Sequence, residues 1–277
     1  MDNEIKLKKF ANQIRIETLK SLSHLGFGHF GGSLSIVEAL SVLYGGIMKV
    51  DPANPNWQGR DYFVLSKGHG GPALYATLAL KGYFPTSELL NLNKNGTHLP
   101  SHPDRLKTVG VDATTGSLGQ GISIAAGIAL SHQLRHLPNR TFCIVGDGEL
   151  NEGQCWEAFQ FIAHRKLTNL TVLIDFNKQQ LDGNLTDIID PQNLCAKFDS
   201  FGFTSVMVKG DDVMAIYHAL TQPHLTKPLV VILDTVKGQG VDYLASLANC
   251  HHLRLDDKSR PEIEKAIQQL EVQYASL

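Results

Sequence analysis

Five short stretches of the chain are apolar almost without interruption: residues 62–65, 141–145, 170–176, 203–208 and 229–234. They are rich in Val, Ile and Phe and lack clean alternation, which is how parallel strands buried on both faces read. Between them, apolar positions recur at helical period. In residues 152–165, Cys155, Trp156, Phe159 and Ile162 form one core-facing stripe. Residues 118–137 and 211–220 behave similarly. The first 48 residues read as mostly helical, with a break over 26–32, and residues 260–277 as a polar surface helix. Strands alternating with helices predict an α/β fold, a parallel sheet covered by helices on both faces. No Pro-, Gly- or Ser-rich linker divides the chain, so one domain spanning residues 1–277 is expected.

The polar and glycine-rich stretches follow the strands. SKGHGG comes after the first, GDGE after the second, FNKQQLDG after the third and KGQG after the last. In such sheets ligands bind outside the carboxyl ends of the strands. One edge of the sheet is therefore expected to carry a site.

GDG is the most pointed of these stretches. Asp147 ends one apolar run, and Asn177 ends the next, one strand–helix–strand unit later. Both offer hard oxygen atoms, which suit Mg²⁺ bound together with phosphate oxygens. Glycines beside Asp147 allow a sharp turn and close approach of a ligand. Glu152 and Gly153 then open a helix whose free N–H groups suit a phosphate. The pattern reads as a metal–diphosphate clamp. The plainer reading is a tight turn at GDG with Asn177 as a cap. A dinucleotide site is disfavoured, because Asn151 stands where the third glycine of GxGxxG belongs and no GxxxxGK[ST] occurs.

Composition narrows the classes. A chain of 277 residues, 43% hydrophobic and 19% charged, can bury a sizeable core. A net charge of −2 gives no reason to expect nucleic acid or an anionic membrane as partner. The four cysteines, Cys143, Cys155, Cys195 and Cys250, include no CxxC pair and read as reduced thiols. The charged N-terminus has no signal-peptide character. The apolar run 122–130 is about half of the roughly 20 residues that span a bilayer. A cytoplasmic protein is expected.

Longer motifs extend the picture: GHFGGSLS from Gly28, RDYFVLSKGHGGPALYATLALKGYF from Arg60, LPSHPDR from Leu99, GVDATTGSLGQG from Gly110, GDGELNEGQCWEA from Gly146 and TVKGQG from Thr235. With these, the chain resembles the N-terminal, diphosphate-binding half of transketolase, in the split form whose halves are separate polypeptides. The resemblance covers nearly the whole chain. It implies the thiamine-diphosphate-binding (PP-domain) fold and a ketol transferase. That enzyme moves a two-carbon unit from a ketose or its phosphate to an aldose or its phosphate. Histidine suits the accompanying proton work because its pKa lies near neutrality.

The resemblance also implies roles for matching residues. Asp147 and Asn177 would be side-chain ligands of Mg²⁺, with Gln179 giving its backbone carbonyl. Gly148, Glu149 and His69 would face the diphosphate of thiamine diphosphate. Gly116, Ser117 and Leu118 would lie along its rings. His29 and His102 would face the sugar, with His98 as a stand-in for His102. His251 would contact cofactor and substrate. The family commonly has an aromatic before this histidine and a glycine after it. Here Cys250 and His252 flank it, so either His251 or His252 can face the site. Glu152 matches a buried acid at the contact with the partner domain. His132 and His136, one turn apart, read as the end of an exposed helix rather than a metal pair. The pyrimidine-binding and C-terminal domains are expected on a partner chain, which would complete the site in an α₂β₂ assembly. The alternatives are half of a deoxyxylulose-phosphate synthase or keto-acid dehydrogenase, or a non-catalytic regulatory protein that kept the fold.

Overall fold

The computed structural model describes residues 3–181, 183–223 and 226–277; His224, which carries no signal in the sequence, lies outside them. In chain order the strands are β1 (Phe27–Gly28), β2 (Tyr62–Leu65), β3 (Thr141–Gly146), β4 (Leu170–Phe176), β5 (Gln179–Gln180), β6 (Gly183–Asn184), β7 (Thr204–Lys209), β8 (Leu229–Asp234) and β9 (Leu253–Arg254). The α-helices begin with α1 (Asn3–Leu25), α2 (Phe30–Leu34), α3 (Val37–Val42), α4 (Gly71–Lys81), α5 (Gln120–Leu134) and α6 (Gly153–His164). They are followed by α7 (Leu185–Ile188), α8 (Leu194–Phe201), α9 (Val213–Thr221), α10 (Asp242–Ala245) and α11 (Ser259–Ser276).

The central sheet is parallel, in the order β2-β3-β4-β8-β7. Alternate side chains along each strand enter two cores. Phe63, Phe142, Ile144, Leu173 and Val231 face α1, α3, α4 and α9. Val64, Cys143, Val145, Val172 and Ile232 face α5, α6 and α8. Burial on both sides explains why these strands lack alternation in sequence. β7 is the exception. It lies at the edge, pairs only with β8 among the described residues, and leaves Met207 45% exposed.

Local chemistry sets the helix limits. Pro72 stands in the first turn of α4, and Gly82 closes that helix at φ +93°, a left-handed conformation glycine takes at little cost. Asp212 caps α9 by accepting from the Met214 and Ala215 amides. On α6, Phe159 is fully buried and meets Phe198 at 4.9 Å and Phe203 at 5.9 Å between ring centroids. Removing such a ring costs about 3–5 kcal/mol. The segment Phe30–Ile47 is apolar enough for a membrane span, and 83% of it is buried within the fold. α11 lies on the surface as expected, with Ile263, Ala266 and Leu270 turned inward.

Register brings the ends of the central strands level. Gly146 pairs with Asp175, and Phe176 with Asp234. The turns after β2, β3, β4 and β8 therefore leave the sheet along one edge.

Candidate active site

A cleft of about 250 Å³ opens at that edge. It collects residues from every loop named above: His69 after β2, Asp147 after β3, Asn177 after β4 and Lys237 after β8.

One end of the cleft is lined with oxygen. Asp147 is buried. Its Oδ1 accepts from the Gly148 amide at 2.8 Å and its Oδ2 from the Lys178 amide at 2.6 Å. Burial pushes the Asp147 carboxyl up to about 7, and the neighbouring Asp175 adds to this against those two hydrogen bonds. Its negative charge is thus under-compensated by the protein. Asn177 is also buried; its amide donates to Asp175 at 2.9 Å, which leaves Oδ1 turned to the Gln179 amide at 3.2 Å. The Gln179 carbonyl accepts from Lys237 Nζ at 3.3 Å. One carboxylate, one amide oxygen and one carbonyl are the hard donors that Mg²⁺ takes.

The glycines work by space rather than by turn geometry. Neither Gly146 nor Gly148 has positive φ. A Cβ at Gly148 would meet Gln180 Cβ at 2.7 Å, and one at Gly32 would meet the His69 ring at 2.8 Å. Gly116 does need its conformation, at φ +137°.

Beneath the oxygen cluster lies a buried ion pair. Lys67 and Asp175 are both fully buried, 2.5 Å apart. Ser35 and Thr235 also donate to the Asp175 carboxylate, at 2.7 and 2.6 Å. Burial pushes this carboxyl up, but the Lys67 charge and these hydrogen bonds outweigh it and hold Asp175 below its ordinary value.

The other end is a wall of imidazoles. His29 is its centre, 5.7 Å from His69, 5.6 Å from His102, 5.4 Å from His251 and 4.9 Å from His252 between ring centroids. Burial, then the His252 and His102 rings, lowers His29 to about 4. Burial and the Lys237 charge lower His251 to about 3. Burial and Lys67 hold His69 well below its usual value, and burial lowers His102. His29, His69, His102 and His251 are therefore neutral near pH 7. Each then offers one donor and one acceptor nitrogen, the pair that sugar hydroxyls need.

Two buried polar atoms in the cleft have no partner among the described residues, His251 Nδ1 and Gln180 Nε2. Unpaired buried polar atoms are costly. They mark a cleft shaped for a polar ligand.

A model of the family described as transketolase, thiamine diphosphate binding domain, matches residues 6–274. The chain belongs to the transketolase N-terminal, thiamine-diphosphate-binding family. It is 48% identical over 259 residues to the 6-deoxy-6-sulfo-D-fructose transketolase subunit SqwG of Clostridium sp. (strain MSTE9), covering 93% of this chain and 94% of that one. It is 36% identical over 270 residues to an apulose-4-phosphate transketolase subunit of Actinobacillus succinogenes, covering 97% and 96%. The crystal structure of Campylobacter jejuni transketolase superimposes with a TM-score of 0.86 at 28% identity, over all of this chain and 48% of that one. The family is one of transferases, and its fold is the one observed here.

Against the transketolase pattern, the cleft gathers His29, His69, His102, Gly116, Leu118, Asp147, Gly148, Glu149, Asn177, Gln179 and His251. Other expected residues lie outside the cleft, or turn their side chains elsewhere, in this chain by itself. Ser117 is exposed and does not line the cleft; its carbonyl accepts from the Gln120 amide. The start of α6 at Gly153 is also outside the cleft, because the short 3₁₀ turn Gly148–Asn151 intervenes. The Glu149 carboxylate is already held by protein groups, accepting from Ser66 and from the Gly119 and Gly146 amides at 2.6, 2.9 and 3.0 Å. Glu152 is exposed in the isolated chain. His132 is buried, against the Tyr62 ring, rather than on an exposed helix end. His98 packs edge-on against Phe84, and His102 takes the cleft. Of the two neighbours, His251 lines the cleft and His252 is exposed at its edge.

Four further residues of the site, Lys67, Asp175, Gln180 and Lys237, are not singled out by the sequence reading. Lys67 and Lys237 lie within SKGHGG and TVKGQG, so a cation beside each glycine turn is a visible signal. Asp175 is visible too, as a charge inside an apolar strand.

Proposed function

We propose that this chain is the cofactor-diphosphate subunit of a two-chain transketolase. Its donor is a ketose with a terminal phosphate or sulfonate and its acceptor an aldose or aldose phosphate. The observation that carries the reading is the grouping of Asp147, Asn177 and the Gln179 carbonyl in the same cleft as four clustered histidines, His29, His69, His102 and His251. Asp147, Asn177 and Gln179 would hold Mg²⁺; the raised Asp147 carboxyl is the group a cation relieves. Gly148, the Glu149 backbone and His69 would face the diphosphate, and Gly116 and Leu118 the rings. His251, with its unpaired Nδ1, would meet both cofactor and substrate.

Thiamine diphosphate, when bound, supplies the electron sink for cleaving a ketose C2–C3 bond. This chain's part is to hold the sugar and move its hydroxyl protons. His29 and His102 accept from the hydroxyls and return the proton without carrying a standing charge. The buried Lys67–Asp175 pair fixes Asn177 through the 2.9 Å amide bond.

The pyrimidine-binding domain is assigned to a separate partner chain, in an α₂β₂ cytoplasmic enzyme. Support comes from relatives described as transketolase subunits that match over 94% and 96% of their own length. Glu152, exposed here, would become buried against that partner. The 48% identity to a sulfofructose transketolase subunit favours a sulfonated donor. The test is a donor panel on the co-expressed pair, with sedimentation giving its mass. Turnover of 6-deoxy-6-sulfofructose or fructose 6-phosphate is expected. A well-formed, cofactor-loaded pair that transfers no two-carbon unit from any ketose contradicts the reading.

A further inference from the structure

β1 and β9 form a small antiparallel ribbon beside the cleft, with Phe27 opposite Arg254 and Gly28 opposite Leu253. Continuing that register sets His29 opposite His252, and their rings lie 4.9 Å apart. Directly opposed residues share a face, as do residues two apart on one strand. Phe27, His29, His252 and Arg254 therefore lie on one face of the ribbon. The ring contacts agree: Phe27 is 5.9 Å from His252, and the Arg254 guanidinium lies 5.4 Å from the Phe27 ring centre.

This face begins inside the cleft at His29 and runs outward to Arg254, about 7 Å further at the usual strand rise. Its charge is uncommitted. Lys67 is taken up by Asp175 and the Gly32 carbonyl, and Lys237 reaches the Gln179 carbonyl on the metal side. Arg254 is exposed, stacked on Phe27, and has no acidic partner among the described residues. A stacked guanidinium keeps its fork free for a planar or tetrahedral oxyanion.

We propose that Arg254, with His252 beside it, recognises the terminal oxyanion of the sugar, a phosphate monoester or a sulfonate. The assignment rests on the ketol-transfer reading above. His29 takes hydroxyls near the reacting carbon, and the ribbon carries the sugar's far end to Arg254. The two residues set specificity and take no part in bond cleavage.

The test uses the assembled two-chain enzyme with three donors: 6-deoxy-6-sulfofructose, fructose 6-phosphate and fructose. Arg254→Gln is expected to raise KM for the anionic donors about tenfold or more, the usual scale for a lost charged hydrogen bond. It should leave kcat, and kcat/KM for fructose, unchanged. Arg254→Lys should restore part of the loss, and His252→Gly should give a smaller, equally selective one. A loss confined to one anionic donor identifies which oxyanion the site takes. Equal losses on fructose and the anionic donors, or no loss on any, overturn the proposal. Both side chains are exposed, so the fold should stand, which an unfolding curve verifies. If the wild-type pair transfers nothing, the functional reading fails; calorimetric titration of fructose 6-phosphate into wild-type and R254Q pairs then still decides the anion site. Equal affinity overturns it.

Discussion

Lys67 Nζ lies 2.5 Å from Asp175 Oδ2, and neither side chain reaches solvent. Removing one member of such a pair strands a charge in the interior. Lys67→Met is expected to destabilise the chain by about 3–5 kcal/mol. A urea unfolding curve measures it. A loss below about 1 kcal/mol, the scale of an exposed pair, contradicts this account of the sheet edge.

Asp147 should control cofactor affinity through the metal. With Asp147→Ala, thiamine diphosphate binding in the presence of Mg²⁺ should weaken by more than the roughly 10- to 100-fold that loss of a supporting hydrogen bond costs a metal site. Wild type in chelator should behave like the variant. Calorimetric titration compares the two. Wild-type affinity that ignores Mg²⁺ removes Asp147 from the metal.

Glu149 ties three loops together through Ser66, Gly119 and Gly146. Glu149→Gln would turn an amide N–H toward one of those donors. The expected loss is about 1–3 kcal/mol, the cost of leaving a buried group unpaired. Thermal unfolding reads it directly, and an unchanged melting temperature argues against the role.

The histidines give stability a definite pH slope. His29 is held near 4 and His251 near 3 in the folded chain, against about 6.5 when unfolded. The unfolded chain therefore binds more protons in between, and stability rises with pH across that window. Their contribution is fully present above about pH 6.5 and is lost as pH falls toward 4. His29→Gln should flatten the slope of unfolding free energy between pH 4 and 6.5. A slope equal to that of wild type would show that His29 titrates normally.

Much of the architecture is legible in the sequence because burial on two faces leaves so plain a mark. The central strands fall where Val, Ile and Phe run unbroken, and only β7, at the sheet edge, is less buried than its composition suggests. Asp147, Asn177 and His69 are legible from their places just past strand ends. Direction and contact are not. Glu149 lies in the expected turn but its carboxylate is already held by protein groups. Ser117 lies in the expected loop but faces solvent. The choice between His251 and His252 depends on which ring packs against His29 and His69, residues far away in sequence; His251 does so inside the cleft, while His252 meets His29 from its exposed side. Lys67 and Asp175 are partners across a long sequence interval, so neither announces the other.

The central claim is that this chain supplies one half of a shared active site. The most direct measurement is ketol transfer by this chain alone, by the partner alone and by the two together, with thiamine diphosphate and Mg²⁺ present. Transfer by the pair only, abolished by Asp147→Ala in this chain, is the expected result. Transfer by the single chain at the rate of the pair would contradict it.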